Sequence, residues 1–181
     1  MKIPLEQIVK EECQKEVNVY GMHAYEHTKS VVKYAQILAA KRKADSEILD
    51  IAAWLHDVGS ILGDTANHHI SSAEYAEQLL KKYNYSQDKI EAVKHCIFSH
   101  RGSQNIKRET IEAECLADAD AMSHFDNVAG LFRLGLINKK LSEQETKEFV
   151  FNKLTRSWNK LTPSAKDIIK DKYEAVKMLF E

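Results

Sequence analysis

Apolar residues recur along this chain every three or four positions, the spacing of one face of an α-helix. Over residues 25–42 they fall at Val31, Tyr34, Ala35 and Leu38. Over 46–58 the stripe is Ile48, Ile51, Ala52 and Leu55, with Asp45 or Ser46 placed to cap the helix and Gly59 to stop it. Residues 70–83 carry Ala73, Ala76, Leu79 and Leu80. Ser86 is placed to open a helix through Ile90, Val93 and Ile97 to about His100, which Arg101-Gly102-Ser103 breaks. Further helical stretches are predicted over 109–127, 131–137, 142–158 and from Thr162 or Pro163 to Phe180. The last turns Ile168, Ile169, Tyr173, Val176 and Leu179 to one side. Strand-type alternation nowhere persists beyond a few residues.

Composition agrees. With 6 glycines and 2 prolines in 181 residues, both prolines placed where helices can begin, few turns are available for an all-β fold. One all-α domain, a single helical bundle over residues 1–181, is the expected architecture. Lys and Arg number 26 against 27 Asp and Glu, for a net charge of -1, so no overall field recruits a nucleic-acid polymer. No apolar run approaches the roughly 18 residues that span a bilayer, and the opening MKIPLEQIVKEEC lacks the apolar stretch of a signal peptide. Cys13, Cys96 and Cys115 form no CxxC pair, so neither a disulfide framework nor a zinc ribbon is expected, and a reduced, cytoplasmic setting is.

The histidines are unevenly placed: all 8 lie at or before His124. The most unusual segment is AAWLHDVGS, where His56 and Asp57 adjoin at the end of an apolar helix. Burying an imidazole and a carboxylate there costs several kcal/mol unless both are paired or bound to a metal. An isolated His-Asp dipeptide is most simply a hydrogen-bonded histidine beside a solvated aspartate. This one has company. His27 lies on or beside the apolar stripe of an earlier helix, and Asp118 and Asp120 sit among Leu116, Ala117, Ala119, Ala121 and Met122.

The order His27, His56-Asp57, then Asp118 or Asp120 resembles the HD superfamily of metal-dependent phosphohydrolases, in its HDIG-like form, over roughly residues 20–130. The resemblance makes 20–130 the metal-binding core and 131–181 a set of buttressing helices. It implies His27, His56, Asp57 and Asp120 as metal ligands, with Asp57 and Asp118 catalytic and Asp118 beside the ligands rather than among them. Where the family's HxxRVxxxA helix carries arginine, this chain has Ser30, with Lys29 next to it. HHISSAEYA is similar to the HxxxGAE segment of larger members and IEAVKHCIFSHRG to their helix ending in I…HR, which brings in His68 and His100. These two are expected to contact phosphate or complete a second ion. Lys29 and Arg101 are the candidate cations for phosphate; His23 is an alternative ligand read at the rim, His69 is the less well matched neighbour of His68, and His95 and His124 read as rim or packing residues.

The resemblance implies a divalent cofactor (Mn, Fe, Co, Zn or Mg), one ion with room for a second. The implied reaction is hydrolysis of a small phosphoester or pyrophosphate, a nucleotide being the expected partner, and a homodimer is a further expected partner. Two other outcomes on the same scaffold are a di-iron oxygenase and a regulatory module without turnover. No P-loop, Rossmann glycine fingerprint, nucleophile elbow or HExxH helix competes.

Overall fold

A computed structural model describes residues 3–101 and 106–180. Every regular element among them is helical: α1 (Leu5–Cys13), α2 (Met22–Arg42), α3 (Ser46–Leu55), α4 (Val58–Ile61), α5 (His68–Lys82), α6 (Gln87–Ser99), α7 (Ile111–Ser123), α8 (Val128–Arg133), α9 (Glu143–Lys160) and α10 (Pro163–Phe180). A single π-helical turn, Leu134–Asn138, extends α8. No helix of the described residues is long and apolar enough to cross a membrane.

Local chemistry sets the helix starts. Asp45 caps α3 by accepting from the Glu47 and Ile48 backbone N–H groups at 2.9 and 3.0 Å. Thr110 caps α7 and Ser142 caps α9, the latter in a capping box with Glu145. Gly21 opens α2 with φ 59° and ψ −152°, a conformation essentially reserved for glycine. α2 packs most extensively on α7 and α3, and α5 on α6. Leu38, Leu49, Leu55, Ile97, Leu116 and Leu154 are fully buried in the shared core. The Arg42–Glu114 ion pair, 2.6 Å, fastens α2 to α7 at the edge. Trp158 stacks on Tyr173 at 4.0 Å between ring centroids, joining α9 to α10.

Some expectations shift. Gly59 does not stop α3: the helix ends at Leu55, and Gly59 lies inside α4. Its role is close approach, because a Cβ there would meet the His68 carbonyl and the Ser72 nitrogen at 3.0 Å and Ser71 Oγ at 2.2 Å. On α10, Leu179 is 76% exposed and Phe180 packs against the core instead. Of the expected break after α6, Gly102 and Ser103 lie outside the described residues.

Candidate metal centre

Five stretches of chain bring imidazoles and carboxylates to one point. His27 comes from α2, His56 and Asp57 from the α3–α4 junction, His68 from the first turn of α5, His100 from just after α6, and Asp120 from α7. The junction explains how two adjacent side chains face the same place. His56 keeps helical angles, but Asp57 takes φ −113° and ψ 10°, so the helical rotation of about 100° between neighbours is broken there.

Asp57 is the centre of the arrangement. Its Oδ2 lies 3.7 Å from His27 Nε2 and 3.6 Å from His56 Nε2. Its Oδ1 lies 3.5 Å from His68 Nε2 and 3.7 Å from His100 Nε2. His27 Nε2 is also 3.5 Å from Asp120 Oδ1. Each carboxylate oxygen of Asp57 thus faces its own pair of imidazole nitrogens.

The outer nitrogens of these rings are fixed. His56 Nδ1 faces the Ala53 carbonyl at 2.8 Å, His68 Nδ1 that of Thr65 at 3.0 Å and His100 Nδ1 that of Ile97 at 2.5 Å. Each acceptor is three residues back along the chain. A carbonyl can only accept, so Nδ1 carries the proton and Nε2 of the neutral ring presents a lone pair inward. His27 follows suit through Ser123, whose hydroxyl donates to the Asp120 carbonyl at 2.7 Å and so accepts from His27 Nδ1 at 3.0 Å.

His27 Nε2 and His56 Nε2 consequently face each other at 3.3 Å with lone pairs opposed, beside two carboxylates. Burial holds the His56 imidazole down at about 4, so it stays neutral despite Asp57. Burial acts to raise Asp57, yet in the metal-free site attraction to the protonated forms of His56, His100 and His27 and a hydrogen bond from the His100 ring hold its carboxyl well below the ordinary range. Asp120 is lowered in the same way: burial acts against it, and His124, His27 and His56 outweigh burial. Nitrogen lone pairs and ionised oxygens converging in a buried place repel one another unless a cation lies between them, whether a proton, as where Asp57 outweighs burial and raises the His100 imidazole, or a metal ion. The donor set therefore fits a borderline divalent metal, and the groups able to hold one are His27-His56-Asp57, Asp57-His68-His100 and His27-Asp120-His124.

Not every candidate arrives. Asp118 sits two residues from Asp120 and so on the other side of α7; its oxygens accept from Thr162 N at 3.0 Å and Thr162 Oγ1 at 2.5 Å, holding the α9–α10 corner. Lys29 is likewise two residues past His27, and it turns away to Glu26, 3.3 Å, and lines no cavity of the site. Arg101 does line the site, bonding the Ala66 carbonyl and approaching His69 Nδ1 at 3.3 Å. His95 accepts from the Glu109 N–H at 3.0 Å, a packing role.

His124, read as a rim or packing residue, belongs with the cluster. Its ring stacks on His27 with centroids 5.7 Å apart, and Nδ1 meets Ser157 Oγ at 3.0 Å. The available signal was its spacing: four residues after Asp120, it shares that residue's helix face. Lys153, Ser157 and Lys160 of α9 and Arg108 also reach the site, and nothing local in their sequence marks them.

The cluster forms the floor between two cavities. One, about 350 Å³, is lined by the histidines, Arg101, Arg108, Lys153 and Lys160. The other, about 220 Å³, is more apolar, with Tyr20, Ala24, Ile61, Leu131 and Leu134 in its walls. His27, Asp57, Ser60, His124 and Lys153 border both.

An all-helical bundle with a His-Asp pair at a helix junction, flanked by imidazoles from neighbouring helices, defines the class of HD-type hydrolase folds. The HD domain family matches residues 24–124. This chain belongs to the HD domain family. Bacillus subtilis YpgQ superposes with a TM-score of 0.70 at 19% identity, over 97% of this chain and 93% of that one; a second YpgQ structure is a complex with ADP. A predicted HD superfamily hydrolase from an uncultured Thermotogales bacterium gives a TM-score of 0.59 at 23% identity over 83% of each chain. In sequence, ribonuclease Y of Desulforudis audaxviator is 32% identical over 105 residues, 58% of this chain but 19% of that protein. The match to ribonuclease Y is thus confined to about a fifth of its length.

Proposed function

We propose that this protein hydrolyses a phosphoester or phosphoanhydride bond of a small nucleotide-like molecule, using divalent metal held by His27, His56, Asp57 and Asp120. The observation that carries the reading is the two-sided environment of Asp57, each oxygen facing two imidazole nitrogens. On this reading Asp57, His68 and His100 would hold a second ion. A bound divalent cation supplies Lewis acidity toward a phosphoryl oxygen and lowers the pKa of a nearby water.

The chain's own groups supply the rest. The Nδ1 anchors keep each imidazole turned so that no rotation is needed during the reaction, which is the electrostatic preorganisation that lowers barriers most. Asp57 and Asp120 stay ionised and accept hydrogen bonds from the attacking water. The Arg101 side chain in the cavity wall balances charge on the reacting phosphoryl oxygens. The apolar cavity takes the part of the substrate that does not react, and Tyr20 and Leu134 shield it from water. A pair of cavities of a few hundred Å³ fits a small ligand, and the ADP held by YpgQ, a fold neighbour, favours a nucleotide.

The test is a panel of nucleoside mono-, di- and triphosphates with Mn, Mg, Co or Zn, scored for released phosphate or pyrophosphate. Turnover that disappears on chelation and in Asp57→Asn supports the reading. Metal bound at full occupancy with no turnover on any phosphate compound overturns it in favour of a regulatory module. An oxygen-sensitive near-visible absorption from anaerobically purified protein would instead assign a di-iron oxygenase.

A further inference from the structure

The cavity beside the metal-ligand cluster carries more positive charge than one phosphoryl group requires. Its lining carboxylates are Asp57 and Asp120, the two that face the histidines. Against them stand Lys153, Lys160 and Arg108 as well as Arg101. Among the described residues, no carboxylate lies within ion-pairing distance of Lys153, Lys160 or Arg108; the Arg108 Nε instead donates to the Ser99 carbonyl at 3.3 Å. Once a divalent ion offsets the two aspartates, these side chains are left as surplus positive charge around an enclosed space.

Their placement is directional. Lys153 and Lys160 are seven residues apart on α9, so they share a face and are separated by about 10 Å along the axis. Lys153 borders both cavities beside His124, and Lys160 lies two turns further on, toward Arg108. Burial and the positive charges of Lys153, Arg156 and Arg108 hold the Lys160 ammonium below its ordinary value, with only Asp120 opposing them. A row of cations of that length matches a chain of phosphates better than a single phosphate.

We propose that α9 is a polyphosphate-binding wall, in which Lys153, Lys160 and Arg108 grip the phosphates beyond the reacting one and select substrates with two or more linked phosphates over monoesters. The proposal rests on the phosphohydrolase reading for its place in a reaction, but its core is an equilibrium binding property. That property survives even if the catalysed reaction is a different one.

The experiment is calorimetric titration of the metal-loaded protein and of the EDTA-stripped protein with inorganic tripolyphosphate and, separately, with orthophosphate. Wild type with metal bound should bind tripolyphosphate at least tenfold more tightly than orthophosphate, with a smaller preference in the stripped form, where Asp57 and Asp120 oppose the anion. A Lys153→Met, Lys160→Met double variant should lose at least tenfold in tripolyphosphate affinity and less than threefold in orthophosphate affinity. The Lys153→Arg, Lys160→Arg variant should recover most of the difference. Circular dichroism melts and bound-metal content of each variant establish that the fold and the centre are intact. Equal losses for both anions, or no loss for tripolyphosphate, overturn the proposal. So does a preference for tripolyphosphate that the double variant keeps in full with metal present, because the selectivity then belongs to the ion. Failure of the nucleotide panel alone overturns the hydrolase reading and leaves the binding result standing.

Discussion

Asp118 and Asp120 are two residues apart in one apolar helix and have opposite environments. Asp120 faces His27, whereas Asp118 spends both oxygens on Thr162 at the start of α10. Asp118→Ala should therefore cost about 1–3 kcal/mol of stability by leaving the Thr162 donors unpaired, while bound metal per folded molecule stays unchanged. Denaturant unfolding and elemental analysis of the same sample check both halves. Asp57→Asn should do the reverse: helicity by circular dichroism largely kept, metal content lost. At the same scale, burial pushes the Cys13 and Cys115 thiols up to about 11 and the Cys96 thiol up to about 12. A pKa above the solution pH keeps the unreactive thiol form. All three should resist a disulfide-exchange reagent at pH 8 in the folded protein and react together once it is unfolded. Rapid labelling of any one in the native state would contradict the burial of these side chains.

At the scale of elements, the site depends on how short α4 is pressed onto α5. Gly59 makes that contact, its N–H donating to Ser72 Oγ at 2.9 Å. The Ser71 hydroxyl can rotate away from an added Cβ, but the His68 and Ser72 backbone atoms cannot. Gly59→Ala should cost about 1–3 kcal/mol through overpacking. Because it pushes the His68-bearing turn away from Asp57, it should also weaken metal binding more than an equally destabilising core truncation such as Leu154→Ala. Comparing metal affinity of the two variants at matched melting temperature decides the point. The π-helical turn after α8 has a corresponding role on the opposite side. Leu134 and Asn138 from that turn line the apolar cavity, and Gly135 allows it to rest on Thr146, whose side chain a Cβ would meet at 2.5 Å.

For the molecule as a whole, the cluster is a place where α2, α3, α5, α6 and α7 are pressed together around like-charged oxygens and opposed lone pairs. A ligand that binds only the folded state stabilises it by about 2.7 kcal/mol at one hundred times its dissociation constant. For a domain of this length each kcal/mol is worth roughly 2–4 °C. Saturating Mn or Zn should therefore raise the melting temperature of chelator-stripped protein by about 5–11 °C. The same addition should leave Asp57→Asn within a degree of its metal-free value, as scanning calorimetry can record. The tail helices belong to this scale as well. α9 does more than brace the bundle, since it contributes Lys153, Ser157 and Lys160 to the larger cavity.

Most of the helices were legible in the sequence because a period near 3.6 in apolar residues is a local property, and because Asp45 and Ser86 announce their helix starts by side-chain chemistry. Boundaries went astray where a distant contact decided them, as at Gly59, whose neighbour is the backbone of α5. The order of His27, His56-Asp57 and a late aspartate was equally readable, since burying such groups in apolar helices demands a common partner. The resemblance already favoured Asp120 over Asp118, and the spacing of His124 from Asp120 was there to be read, but that Lys153, Lys160 and Arg108 line the larger cavity was settled by packing alone. Sequence spacing fixes which residues share a face, but only the assembled bundle decides what each face looks upon.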